Sequence, residues 1–201
     1  VHRVMNRLAM LLALVGLIVL TRRLGLSNRA ALGYRLPAAE FFRQLGIGWA
    51  AGIGLMLPLV ALLLALDVRQ IKPGLDGDVL SMFAQGLLSG LVVAFIEETF
   101  FRGIVLGILL RTGRKLLSIV AVSAFFAAVH FLKGSEWEPT IVTWTSGFKS
   151  IGDAFAGFGD PMMVLAAFAT LFLIGCILAD ARVLTRSLWL SIGLHAGWIF
   201  A

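Results

Sequence analysis

Six apolar runs, at about 5–20, 46–66, 79–110, 116–132, 161–179 and 187–201, divide this chain, and most of them are as long as a lipid bilayer is thick. A helix needs roughly 20 apolar residues to cross the ~30 Å hydrocarbon layer, because each residue rises only about 1.5 Å. Inside lipid the backbone must satisfy its own polar groups, which a helix does within one segment. Composition agrees: 60% of residues are hydrophobic and 14% charged, against roughly 25% charged in soluble domains. The expected fold is therefore all-α, a polytopic transmembrane bundle of about six to eight helices forming a single domain over 1–201. The third run is long enough to span and protrude, or to break near Gly103.

The net charge of +6 does not point to nucleic acid, because the basic residues sit in short clusters between apolar runs, where topology accounts for them. The connections 21–45, 111–115 and 180–186 carry ten Lys and Arg against six for residues 1–7, 67–78 and 133–160. By the positive-inside rule the first set faces the cytoplasm and the N-terminus lies outside. The first run lacks a small-x-small cleavage pattern after Thr21-Arg22-Arg23, so a retained first helix is expected. Compact size and no targeting extension fit a bacterial inner membrane. The only cysteine, Cys176, lies in an apolar run, which leaves neither a disulfide framework nor a zinc-binding cysteine pair. Residues 133–160 carry Trp137, Trp144, Phe148, Phe155 and Phe158, the composition of an interfacial segment, whether anchor or gate. Gly86/Gly90 and Gly103/Gly107 have the spacing that lets helices approach closely in lipid.

Against this apolar background, GLVVAFIEETFFRGIVLGILL (90–110) holds Glu97, Glu98 and Arg102. An ionisable side chain at bilayer depth costs roughly 2.5–3.5 kcal/mol, so three together need each other or a function. On a helix Glu98 and Arg102 are four apart and share a face, while Glu97 points about 100° away. Glu98 can then pair with Arg102, leaving Glu97 to face a cavity as a candidate general base. His130 in SAFFAAVHFL is fifteen residues after Lys115, and Glu97 is fourteen before Arg111, so a hairpin between them returns both to one depth. His195 in SIGLHAGWIF is nine residues from Arg186 and reads as shallower. One glutamate and two histidines can activate water: Glu97 takes the proton, His130 orients the water, and His195 donates to the oxyanion of an attacked carbonyl. The same Glu97, His130 and His195 could instead hold Zn2+. The non-catalytic readings are a helix staple for Glu98–Arg102, interhelical hydrogen bonding for each histidine, and packing for Phe126.

Three motifs in order carry a resemblance. Glu97-Glu98-Thr99-Phe100-Phe101-Arg102 resembles E-E-x-x-x-R, Phe126-Ala-Ala-Val-His130 resembles F-x-x-x-H, and Gly193-Leu-His195-Ala-Gly-Trp198 resembles the last histidine motif of the CPBP family (CAAX protease and bacteriocin-processing, or Abi) of glutamic-type intramembrane proteases. The motif-bearing core is about 79–201. The resemblance implies an integral membrane endopeptidase acting on a membrane-associated or lipidated, CAAX-like peptide or protein. Glu97, Glu98, Arg102, His130 and His195 would form its catalytic centre, with no cofactor on the glutamate-type mechanism and Zn2+ as the alternative. The family also includes bacteriocin-immunity proteins. Its last motif usually reads H-x-x-x-N or H-x-x-x-D, whereas here that position is Ile199. An oxyanion donor is then missing, which favours a slow enzyme or a non-catalytic peptide-binding member of the same fold. A proton-coupled transporter using Glu97, Arg102 and His130 is a third reading, but no pair of broken helices in matching halves supports it.

Overall fold

The computed structural model describes residues 15–16, 18–26, 28–70, 79–130 and 161–201. Among the described residues there are helices and no strand. Residues 15–16 and 18–20 of the first run are helical, and the helix continues to Arg23; the rest of that run, and the aromatic connection 133–160, lie outside the described residues. The helices are α1 (Arg29–Leu32), α2 (Ala38–Ala65), α3 (Val79–Glu98), α4 (Leu106–Leu109), α5 (Lys115–His130), α6 (Pro161–Thr185) and α7 (Trp189–Phe200). Among the described residues, three stretches are long and apolar enough to cross a membrane: Ala38–Ala65, Val79–Thr112 and Val164–Thr185. The apolar helices Lys115–His130 and Trp189–Phe200 are shorter.

Apolar runs located the helices but not their ends. α2 begins at Ala38 rather than near 46, directly after Pro37. Its first turn holds Glu40, which accepts from Arg43 Nη2 at 2.6 Å and from Gln44 Nε2 at 2.7 Å. Such i,i+3 and i,i+4 pairs, with an acid at the positive end of the helix dipole, extend a helix through residues that hydropathy discounts. Similarly, α6 runs through Asp180 and Arg182 to Thr185, so the expected loop 180–186 reduces to a turn after Thr185, where Arg186 has φ 54°. Ahead of α2, Asn28 caps α1 by accepting from Ala30 N at 2.7 Å, and Gly33 ends it at φ 90°. Any Cβ on Gly33 would lie 2.7 Å from Arg182 Cζ. That guanidinium donates from Nη2 to Ala31 O at 3.3 Å and so ties α1 to α6.

The long third helix does not break at Gly103. It widens into a π-helical segment over Thr99–Val105, returns to α-helix in α4 and tightens into a 3₁₀ turn over Leu110–Thr112. A π turn inserts one residue, which re-aims everything after it by about 100° relative to an unbroken α-helix.

Glycines set the closest helix contact, and not the pairs the spacing suggested. A Cβ on Gly48 of α2 would lie 2.5 Å from Leu190 O and 2.8 Å from Leu194 N, and one on Gly52 would lie 2.5 Å from Leu194 O. Gly193 and Gly197 of α7 face back onto the backbone of Leu45, Trp49, Gly48 and Gly52. α2 and α7 therefore touch backbone to backbone, which only paired small residues permit. Of the expected pairs, Gly90 lies tight against Ala196 O (3.0 Å) and Gly103 against Leu188 (3.3 Å), Gly86 makes ordinary contact with Phe200, and Gly107 faces open space.

The distribution of polarity is the reverse of a soluble protein's. Leu55, Leu62, Leu80, Leu88, Leu165 and Leu173 are exposed on the long helices, while Gln44, Glu98, Arg102, Ser123, Ser191 and His195 are buried. In lipid the first group costs nothing and the second must be paired. The apolar core joins Phe101, Leu106, Ile119, Val122, Phe126 and Ala179 from the third helix, α5 and α6.

Candidate active site

Arg102 is the hub. Its side chain is fully buried, its guanidinium carbon lies 4.3 Å from the centre of the Phe126 ring, Nη1 donates to Glu98 Oε1 at 2.9 Å, and Nη2 donates to Gly175 O at 3.2 Å. The last bond requires α6 to come close to α5. A Cβ on Gly175 would sit 2.9 Å from Ser123 Cβ, so the glycine is what allows that approach. One cation thus joins α3, α5 and α6 through a carboxylate, a ring face and a carbonyl.

Glu98 is also fully buried and takes a second bond on the same oxygen, from His195 Nδ1 at 2.9 Å. A carboxylate oxygen only accepts, so His195 carries its proton on Nδ1. Nε2 of His195 then lies 3.8 Å from Glu97 Oε2. On α5, His130 Nδ1 lies 2.8 Å from Phe126 O, one turn earlier in its own helix, and donates to it; His130 Nε2 is left 3.6 Å from Glu97 Oε2. The structure therefore brings Glu97, Glu98, Arg102, His130 and His195 into one cluster. It divides the two carboxylates as their helical angle suggests, with Glu98 sealed behind and Glu97 28% exposed at the front.

Three acceptor atoms meet at the front: Glu97 Oε2 and two imidazole nitrogens whose protons are committed elsewhere. At 3.6 and 3.8 Å from Glu97 Oε2 the two nitrogens are beyond direct hydrogen-bond distance, and the two O–H groups of one water can serve two of the three acceptors. Glu97 Oε2 is buried with no hydrogen-bond partner. Two carboxylates against one guanidinium leave the cluster one negative charge when both histidines are neutral. Histidines backed by a carbonyl and a carboxylate also resemble the outer shell of a zinc site. Among the described residues, however, no group of three or more His, Cys, Asp or Glu is disposed to hold a metal ion.

Several contributors escape a sequence reading. The Glu98–His195 bond joins residues 97 apart, and nothing local signals it. Phe126 is core packing, as expected, but its carbonyl also fixes the His130 tautomer, a role that the four-residue spacing could have suggested. Ile199, one turn after His195, lies with Cβ and Cγ2 3.7 Å from where a Gly90 Cβ would be. Its side chain packs against Gly90 of α3 and is 40% exposed. A groove of about 400 Å³ lined by Leu45, Leu91, Phe95, Ile96, Trp189 and Ile192 lies nearby. Its α3 residues are on the face turned away from Glu97, so it is not part of the cluster.

At the head of the π segment the Tyr34 hydroxyl bonds to Thr99 Oγ1, which in turn donates to Phe95 O. Tyr34 packs between Phe95 and Trp189, at 5.6 and 5.2 Å, and its carbonyl accepts from Trp189 Nε1 at 3.3 Å. Burial pushes its phenol above the ordinary value, opposed by the bond to Thr99 and reinforced by the Glu98 charge. The segment before α2 is thus pinned beside the glutamates.

Residues 79–201, well over half of the chain, match the family described as type II CAAX prenyl endopeptidase, Rce1-like. No curated protein and no solved structure matches the chain.

Proposed function

The chain belongs to the Rce1-like family of type II CAAX prenyl endopeptidases, and on that premise we propose that it hydrolyses a peptide bond in a lipidated, CAAX-like peptide at the membrane, with Glu97 as general base. The observation that carries this is the pair of bare imidazole nitrogens held 3.6 and 3.8 Å from Glu97 Oε2. A water bound there gives one proton to Glu97 while His130 Nε2 accepts from the other, which aims an oxygen lone pair outward. Its oxygen bonds to the scissile carbonyl carbon, and the carbonyl oxygen becomes an oxyanion. His195 donates to that oxyanion from Nε2 after Nε2 has taken a proton from bulk water, its Nδ1–H staying on Glu98. The C–N bond then breaks as Glu97 returns its proton to the leaving nitrogen, giving a carboxylic acid and an amine. This mechanism needs no metal.

The test is cleavage of a prenylated CAAX-type peptide by the full chain in liposomes. Wild type should cleave, Glu97→Gln should fall to background, and a chelator should change nothing. Loss of cleavage with chelator, restored by Zn2+, would move Glu97, His130 and His195 to metal ligands. Ile199 on Gly90 supports a second reading, a peptide-binding member that has lost proteolysis. In that case wild type binds the peptide uncut and Ile199→Asn gains cleavage.

A further inference from the structure

We propose that the indole N–H of Trp198 donates to the oxyanion, in the place that the family motif gives to the residue now occupied by Ile199; the proposal rests on the hydrolytic reading above. Ile199 brings no donor, and its side chain is committed to Gly90. Trp198 is three residues after His195 and on the same side of α7. Its ring packs on the cluster of Leu178, Ala181 and Leu194, which fixes it between α7 and α6. Its Nε1 is buried and has no hydrogen-bond partner. A buried N–H left unpaired is unfavourable, and such groups are kept where a ligand atom completes them. Glu97 Oε2, the proposed base, is in the same condition.

The other unpaired donors of the described bundle are badly placed for this role, Arg182 Nε among them, whose guanidinium is turned to Ala31 O and Gly33. Arg102 Nε and Ser123 Oγ belong to fully buried side chains, the first behind the Phe126 ring and the second against Gly175. Trp49 is on α2, which packs on the glycine face of α7, opposite His195. Trp198 alone among them is a partly exposed residue on the same helix and the same side as the histidine. With His195 Nε2 it supplies two donors for one developing charge, from a single turn of one helix.

The experiment removes the N–H and keeps the ring. Trp198→Phe, and the chain with benzothienylalanine at position 198, are compared with wild type in liposomes on the prenylated peptide, with kcat and KM read separately. Losing one oxyanion donor should lower kcat by about 10²–10³. KM should hold within a few-fold, and binding of the uncleaved peptide in a Glu97→Gln background should not change. Adding Ile199→Asn to Trp198→Phe should recover at least about tenfold of the loss, because an amide returns to the motif position. Unchanged kcat in the benzothienylalanine protein overturns the proposal even if Trp198→Phe misfolds. A KM effect without a kcat effect also overturns it. A wild type as inert as Glu97→Gln takes down the hydrolytic reading and this inference together. An active wild type with indifferent Trp198 variants takes down this inference alone.

Discussion

Replacing Gly48 with Ala tests whether a contact outside the cluster sets its geometry. Gly48 touches none of the five clustered residues, yet its Cβ would meet Leu190 O at 2.5 Å, Leu194 N at 2.8 Å and Gly193 Cα at 3.0 Å. All three are backbone atoms, which cannot rotate aside. Ordinary contact begins at 3.4 Å, so the helices must shift by roughly 0.9 Å. Either α2 gives way and loses its backbone contact, or α7 carries His195 out of its 2.9 Å register with Glu98. Overpacking of this kind costs about 1–3 kcal/mol. A displacement of about 1 Å at a reacting group costs on the order of 10² in rate. The measurement is thermal unfolding of the full chain in detergent beside kcat in liposomes, with Gly107→Ala as the control. Gly107 meets nothing within 4 Å and lies in helix, so Ala there should be neutral or stabilising by up to about 1 kcal/mol. If Gly48→Ala matched wild type in both stability and kcat, backbone contact between α2 and α7 would not be what places His195.

Arg102→Met should destabilise the fold by about 3–5 kcal/mol, because Glu98 is left buried without its cation; the double variant Arg102→Met/Glu98→Gln, assayed by the same unfolding, should recover part of that loss. Gly175→Ala should cost about 1–3 kcal/mol and loosen Arg102 from α6, since the new Cβ would press on Ser123 at 2.9 Å. Tyr34 predicts a pH dependence. Its phenol is held above 10.0 by burial, so its stabilising contribution is intact below pH 10 and is lost as pH rises through the folded value. Unfolding followed across that window should show a fall that Tyr34→Phe flattens, at a cost below it of about 0.5–1.5 kcal/mol for the bond to Thr99. A fall of equal steepness in both proteins would assign the alkaline loss to another group.

The residues of the cluster were legible in the sequence because helical geometry is local. Residues 97 and 98 must point about 100° apart, and the structure buries Glu98 fully while leaving Glu97 28% exposed. Counting from the Arg111–Lys115 turn brought Glu97 and His130 to one depth, and they lie 3.6 Å apart. The same counting made His195 shallow, because it took the turn before α7 to lie at the surface. Ser187 and Leu188 are in fact fully buried, so α7 starts inside the bundle and His195 reaches Glu97 after less than two turns. Long-range contacts were not legible. Gly48 and Gly193 are far apart in the chain, and spacing alone ranked them no higher than Gly107, which packs on nothing.

With that buried start, α7 lies inside the bundle from its first turn. Each face of SIGLHAGWIF meets a different partner. Gly193 and Gly197 remove side chains where α2 presses its backbone, and Ile192 and Ala196 pack with Ala94 of α3. Leu194 and Trp198 meet Leu178 of α6. Between those two faces, with Trp198 on one side and Ile199 on the other, His195 points at the glutamates, tied to Glu98 at 2.9 Å. A residue at 199 falls between the α3 face and the histidine face. Gly90 has no side chain there, so the position can be filled by an apolar group that seals the helix pair or by an amide that serves the site. In this chain it is filled by isoleucine. The seal adds contact between α3 and α7 and removes a donor, so Ile199→Asn should be less stable than wild type whether or not it gains rate. Greater stability of Ile199→Asn would show that the isoleucine is not kept for packing.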